Sequence, residues 1–120
     1  MLVEDNDVFR EALELLLGLE RDTEVVASVT DGDEAVEACV RERPDVVLVD
    51  YRLPSVNGVE ATAALRSSCP EAAVICLTAS ISPSEERAIL EAGAVACLSK
   101  EEELPTIVAA IRQAARIREP

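Results

Sequence analysis

Acidic residues fall where short aliphatic runs end. Glu4 and Asp5 follow the apolar stretch at 1–3, and Asp50 closes the run DVVLV at 45–49. Thr78 follows AVICL at 73–77, and Lys100 comes just after the run at 95–98. Placed side by side in one sheet, these runs bring three carboxylates, a hydroxyl and an ammonium to a single rim. Three carboxylates can hold an octahedral Mg²⁺ together with waters and a backbone carbonyl, and the ion then neutralises incoming phosphate oxygens. In such a site Asp50 is the carboxylate nucleophile that attacks phosphorus and becomes an acyl phosphate. Lys100 and Thr78 contact the phosphoryl oxygens, and Ala79 leaves room beside them.

Each of these residues also has a plainer use. Glu4 and Asp5, with Asn6 and Asp7, can cap a helix, because acids stabilise helix N-termini. Asp50 can form a turn ahead of Leu53-Pro54. Thr78 is an ordinary strand residue, and lysines are mostly solvated surface charges. Their joint placement around strands otherwise packed with aliphatics is what favours a site.

The elements that must position them are legible. Runs at 1–3, 24–28, 45–49, 73–77 and 95–98 read as strands, with five helical segments separating or following them. The runs at 45–49 and 73–77 are nearly continuous in apolar residues, as expected of central parallel strands covered on both faces. The first helix is expected to turn Phe9, Leu13, Leu16 and Leu17 to the core, and the last Leu104, Ile107, Val108 and Ile111. Helix starts show as capping residues with an acid three positions on: Asp31 with Glu34, Asn57 with Glu60, and Ser82-Pro83 with Glu85. Gly93 is expected to end the fourth helix. Repeated β-α connections predict an α/β fold: a doubly wound, five-stranded parallel sheet of flavodoxin-like order 2-1-3-4-5, whose ligand site lies where the strand order reverses.

The chain has 120 residues, the length of one domain. The strand before Glu4 is short, which suggests missing N-terminal residues, and the polar tail at 116–120 reads as the stub of a linker to an output domain. A net charge of −13 excludes this domain from holding a nucleic acid backbone itself. The apolar runs are too short to span a membrane. With four scattered cysteines and no histidine, a zinc site is excluded, as are histidine general-base chemistry and any phosphohistidine carried by this chain. The cysteines read as reduced core thiols of a cytoplasmic protein. The four glycines form neither a P-loop nor a dinucleotide fingerprint.

At these residues the chain resembles the response-regulator receiver family of two-component signalling, through V-E-D-N at 3–6, V-L-V-D-Y-R-L-P at 47–54, L-T-A at 77–79 and S-K at 99–100. Gly58, eight residues after Asp50, and A-G-A at 92–94 belong to the same pattern. The resemblance covers essentially all of 1–120 as a single receiver domain. It implies Asp50 as phosphoacceptor, Glu4, Asp5 and the Arg52 backbone carbonyl as further Mg²⁺ ligands, Thr78 as the switch hydroxyl and Lys100 as the phosphate-pairing cation. It further implies a sensor histidine kinase or phosphotransfer protein as phosphodonor, and a signal emerging on the surface of the fourth helix, fifth strand and fifth helix. The A-I-R-Q-A-A segment, with L-T-A and A-G-A, is most like members that carry a C-terminal helix-turn-helix domain, which implies transcription control on DNA and a homodimer. Such a domain assists its own phosphotransfer and is not an enzyme with a separate substrate.

Two positions depart from the pattern. Cys97 stands where the family usually has Tyr or Phe, and Glu101 where proline often follows the lysine. Cysteine supplies no aromatic ring to follow the threonine inward, so the usual coupling lacks one half. These departures motivate an alternative, a receiver-like module that dimerises or binds partners without phosphorylation. An aspartate-nucleophile phosphatase is disfavoured, because Asp50-Tyr51-Arg52 lacks a second acid to serve as general acid.

Overall fold

In the computed structural model, which describes residues 1–118, five strands and five α-helices alternate. They run β1 (Leu2–Val3), α1 (Asp7–Gly18), β2 (Ser28–Val29), α2 (Ala35–Glu42), β3 (Val46–Val49), α3 (Gly58–Ser68), β4 (Ala73–Thr78), α4 (Pro83–Glu91), β5 (Ala96–Ser99) and α5 (Leu104–Arg118), with a 3-10 turn at Gly32–Glu34 leading into α2. The sheet order is 2-1-3-4-5, and every neighbouring pair is parallel, as the alternation of elements predicts.

The continuous aliphatic runs serve two cores at once, because successive strand residues point to opposite faces. Val47, Val49, Val74 and Cys76 pack against Ala38 and Cys39 of α2, Ala61 and Leu65 of α3 and Ile89 of α4. On the other face Leu48, Ile75 and Leu77 meet Leu13 and Leu17 of α1 and Ile107, Val108 and Ala114 of α5. Aliphatics and alanine fill both layers, while the two aromatics, Phe9 and Tyr51, sit half-buried at the margins. Leu16 departs from its expected place. It is 38% exposed, on the shoulder of the α1 stripe rather than within it.

Caps lock the helix starts in register with the sheet. Asn6 caps α1 by accepting from the Phe9 N–H, and Asn57 caps α3 by accepting from Glu60. Ser82 and Glu85 form a reciprocal capping box behind Pro83 at the start of α4. The α1 cap is thus Asn6, which frees Glu4 and Asp5 from that duty. Asp31 caps the 3-10 turn through Gly32, without a reciprocal bond from Glu34. Gly93, with φ of 123°, follows α4.

One strand moves. The sequence pattern predicts a strand at 24–28, yet β2 is only Ser28–Val29, because a strand needs a paired neighbour and β1 offers Leu2 and Val3 alone. Ahead of β2 the Ala27 carbonyl still accepts from Leu2 N–H, at 3.0 Å. Beyond it, Val25 and Val26 line a cavity of about 420 Å³ together with Pro44, Val46 and Ile111. The fifth strand also starts one residue later than predicted, and Val95 is exposed. The tail predicted as a linker stub is helical as far as Arg118, and residues 119–120 lie outside the described residues. Among the described residues no helix is long and apolar enough to cross a membrane.

Candidate functional site

The reversal of strand order places the ends of β1 and β3 side by side. The Asp50 N–H donates to the Val3 carbonyl at 3.0 Å, and the Glu4 N–H to the Val29 carbonyl at 3.0 Å, so the two acids leave adjacent strands at the same level. Both are buried, Glu4 at 4% and Asp50 at 6% exposure, while Asp5 is exposed. Carboxylate oxygens of Glu4, Asp5 and Asp50 all lie within 4.8 Å of one another.

Lys100 reaches this trio from two strands away. Its N–H is fixed to the Thr78 carbonyl at 2.9 Å, and its side chain extends over the end of β4. The Nζ ends 2.7 Å from Glu4 Oε1 and 3.1 Å from Asp50 Oδ2. The Phe9 ring, at the start of α1, lies 4.7 Å from the same ammonium and offers it a π face. Burial works to lower the Lys100 pKa, but the bond to Glu4 and the charge of Asp50 outweigh it and hold the ammonium above its ordinary range. Burial, aided by the Asp50 charge, pushes the Glu4 carboxyl up, against the opposing pull of Lys100 and the Asn6 N–H. The Asn6 N–H donates to Glu4 Oε2 at 3.0 Å.

Three carboxylates face one ammonium, which leaves two negative charges uncompensated. The donors are all oxygen, and two of the three are withdrawn from water, the environment in which a hard divalent cation gains most. The residues therefore fit Mg²⁺, with Glu4, Asp5 and Asp50 as the side chains that would hold it. The Arg52 backbone lies beside them, since its N–H donates to Asp50 Oδ1 at 3.3 Å. Its guanidinium turns away to Glu85 at 3.0 Å and stacks over Tyr51.

Thr78 is buried at the end of β4, where its hydroxyl donates to the Ser80 carbonyl at 3.3 Å and not to the acids. Ala79 and Ser80, which follow it, are exposed. Cys97 pairs in register with Cys76 of β4 and is half-buried; burial, together with Cys97, pushes the Cys76 thiol up. Among the described residues none of the four cysteines forms a disulfide. Glu101 is exposed, and its N–H donates to Ser99 Oγ.

Gly58 sits where α3 comes against the Asp50 turn. Its N–H donates to the Tyr51 carbonyl at 2.8 Å, and a Cβ there would lie 2.7 Å from both the Asp50 carbonyl oxygen and the Tyr51 Cα. Backbone cannot yield as a flexible side chain would. Gly58→Ala is expected to lower stability by about 1–3 kcal/mol, the usual range for overpacking. An unchanged urea midpoint would show that α3 can shift freely from the turn.

Of the residues singled out in the sequence, the structure brings Glu4, Asp5, Asp50 and Lys100 together and leaves the Thr78 hydroxyl on Ser80, while Phe9 was missed as a partner of Lys100. Its helical spacing marked Phe9 only as a core residue. Asp31 was read as a helix cap alone, although its carboxylate spans to another loop.

A parallel sheet wound in this order, with a cationic side chain crossing from the fifth strand to acids on the first and third, defines the receiver class. The sequence model of the response regulator receiver domain matches residues 1–112, and the chain belongs to that family. It is similar to transcriptional regulatory protein DegU of Brevibacillus brevis, with 35% identity over 116 residues, 97% of this chain and 49% of DegU. Transcriptional regulatory protein LnrK of Bacillus subtilis is 38% identical over 111 residues, 92% of this chain and 50% of LnrK. Among solved structures, a NarL signal receiver domain from Mycobacterium tuberculosis superposes with a TM-score of 0.91 at 32% identity, over 96% of this chain and 93% of that one. The chain thus spans about half the length of the curated relatives it matches.

Proposed function

We propose that this domain is a Mg²⁺-dependent phosphoacceptor, in which Asp50 takes a phosphoryl group from a sensor histidine kinase or a phosphotransfer protein. The observation that carries the reading is a buried Asp50 carboxylate set within reach of two further acids and an ammonium. An Asp50 carboxylate oxygen forms the new bond to phosphorus as the P–N bond of the phosphohistidine breaks, and that electron pair returns to the imidazole. Mg²⁺, when bound, neutralises charge on the phosphoryl oxygens. Glu4, Asp5, Asp50 and the Arg52 carbonyl would hold the ion, while Lys100 would exchange its carboxylate contacts for a phosphoryl oxygen. The Thr78 hydroxyl turns from Ser80 toward the new group. No separate substrate is turned over.

The altered rim is relayed to α4, β5 and α5, where Leu90 and Val95 are exposed and suit a second copy of the domain. Output as transcription control, on DNA bound by a C-terminal domain, is supported by the names of the curated relatives. The acidity of this domain argues that it does not bind the DNA itself. With Cys97 half-buried beside Cys76 and no aromatic at that position to swing, the reading supported is a relay through strand and thiol packing.

The test is a titration of Mg²⁺ and beryllium fluoride, which mimics the phosphoryl group, followed by unfolding and light scattering. Binding to the folded state at 100 times Kd raises stability by about 2.7 kcal/mol. The two ligands together are expected to stabilise the domain and raise its dimer fraction. A dimer fraction that is high from the start and unmoved by either ligand would favour a phosphorylation-independent interaction module instead.

A further inference from the structure

Asp31 stands just beyond β2, at the same end of the sheet as the acids, and its carboxylate is committed to more than its own turn. Oδ1 accepts from Gly32 N–H at 2.7 Å. The same carboxylate also accepts from Ser55 N–H at 3.0 and 3.1 Å and from Val56 N–H at 3.3 Å, across 24 residues or more of chain. Ser55 and Val56 belong to the loop at 51–57 that carries Asp50's turn into α3. Other ties of the loop lie near its two ends, Arg52 N–H on Asp50 and the Arg52 guanidinium on Glu85 at one, Asn57 capping α3 and Gly58 N–H on the Tyr51 carbonyl at the other. Leu53, buried at 8% exposure, anchors it from below. Gly32 allows the approach. A Cβ at Gly32 would stand 2.5 Å from the Val56 carbonyl oxygen, so the two backbones touch with no side chain between them.

We infer that Asp31 is a positioning residue that holds the 51–57 loop, and with it the Arg52 carbonyl, in the geometry that receives the metal ion. The inference rests on the phosphoacceptor reading of Asp50. Its physical basis is that a backbone carbonyl has no rotamer of its own. Such a ligand is aimed only by the peptide units on either side, and the downstream units here hang on Asp31. Burial opposes ionisation of Asp31, but the Ser55 side chain and the N–H donors of Val56, Ser55 and Gly32 hold its carboxyl below the usual range, so it remains a pure acceptor at neutral pH. Groups that orient metal ligands from one layer out change metal affinity by about 10–100-fold when lost.

Two variants separate this role from simple capping. Asp31→Ser keeps a good cap for the turn at Gly32, but its hydroxyl is one bond too short to serve Ser55 and Val56 as well. Asp31→Asn keeps a carbonyl oxygen at full reach. Mg²⁺ affinity is measured by the emission of Tyr51, the single tyrosine, and loop order by amide exchange at Ser55 and Val56. Asp31→Ser is expected to speed exchange at those two amides and weaken Mg²⁺ binding about tenfold, while Asp31→Asn recovers most of both. Faster exchange with unchanged Mg²⁺ affinity overturns the inference and leaves the phosphoacceptor reading intact. A wild-type domain that takes no Mg²⁺ overturns both.

Discussion

Asp50→Asn is expected to abolish phosphoryl uptake from a small-molecule donor such as acetyl phosphate while leaving the fold in place. The wild-type domain should gain an acid-stable, base-labile label in the presence of Mg²⁺, and the variant should show none above background. An amide oxygen is a far poorer nucleophile than a carboxylate, and it carries no charge to share with a cation. The fold should tolerate the exchange, because asparagine is nearly the same size and Lys100 keeps Glu4 as its partner at 2.7 Å. The expected stability change is within about 1 kcal/mol, since the variant also removes one of the crowded negative charges. Equal labelling of variant and wild type would move the acceptor to another residue and end the reading of the site given above.

The second large effect concerns Lys100. Removing one partner of a buried ion pair costs ~3–5 kcal/mol when the other is left alone in the interior. The Lys100 side chain is 14% exposed, so solvent screens part of this, and Lys100→Met is expected to destabilise the metal-free domain by about 2 kcal/mol. The loss should be recovered by Mg²⁺, because the cation takes over the charge that the ammonium supplied. Mg²⁺ should therefore stabilise Lys100→Met more than it stabilises the wild type, in which ion and ammonium compete for Glu4 and Asp50. Urea unfolding with and without Mg²⁺ checks both parts. If the variant matches the wild type in chelator, the Lys100 contacts contribute nothing to stability. If Mg²⁺ stabilises both proteins alike, there is no competition for the acids.

Much of this arrangement is legible in the sequence, for a physical reason. Parallel central strands are buried on both faces, so VVLV and AVICL stand out as unbroken aliphatic runs, and the polar residues that close them mark the rim. Glu4, Asp5, Asp50, Thr78 and Lys100 were singled out in that way, and the structure gathers all but the Thr78 hydroxyl into one cluster. The strand predicted at 24–28 was misplaced because strand identity belongs to a pair, and its partner β1 pairs through two residues only. Leu16 was misplaced because helical spacing tolerates a neighbour on the shoulder of the stripe. The ties from Asp31 to Ser55 and Val56, and from Phe9 to Lys100, join elements whose relative position exists only once the sheet is wound. Local pattern carries no trace of them.

The Lys100 bridge has a consequence for noise. Free phosphate monoesters are abundant anions, and a lone ammonium at an open rim would attract them. Here the ammonium is already claimed by Glu4 and Asp50, and the surplus charge of the trio repels anions from the outset. On the phosphoacceptor reading an anion would be admitted only when a divalent cation arrives to cancel that surplus and release the lysine. On that reading the rim would then be a two-input gate, in which the cation alone binds but the anion enters only with it.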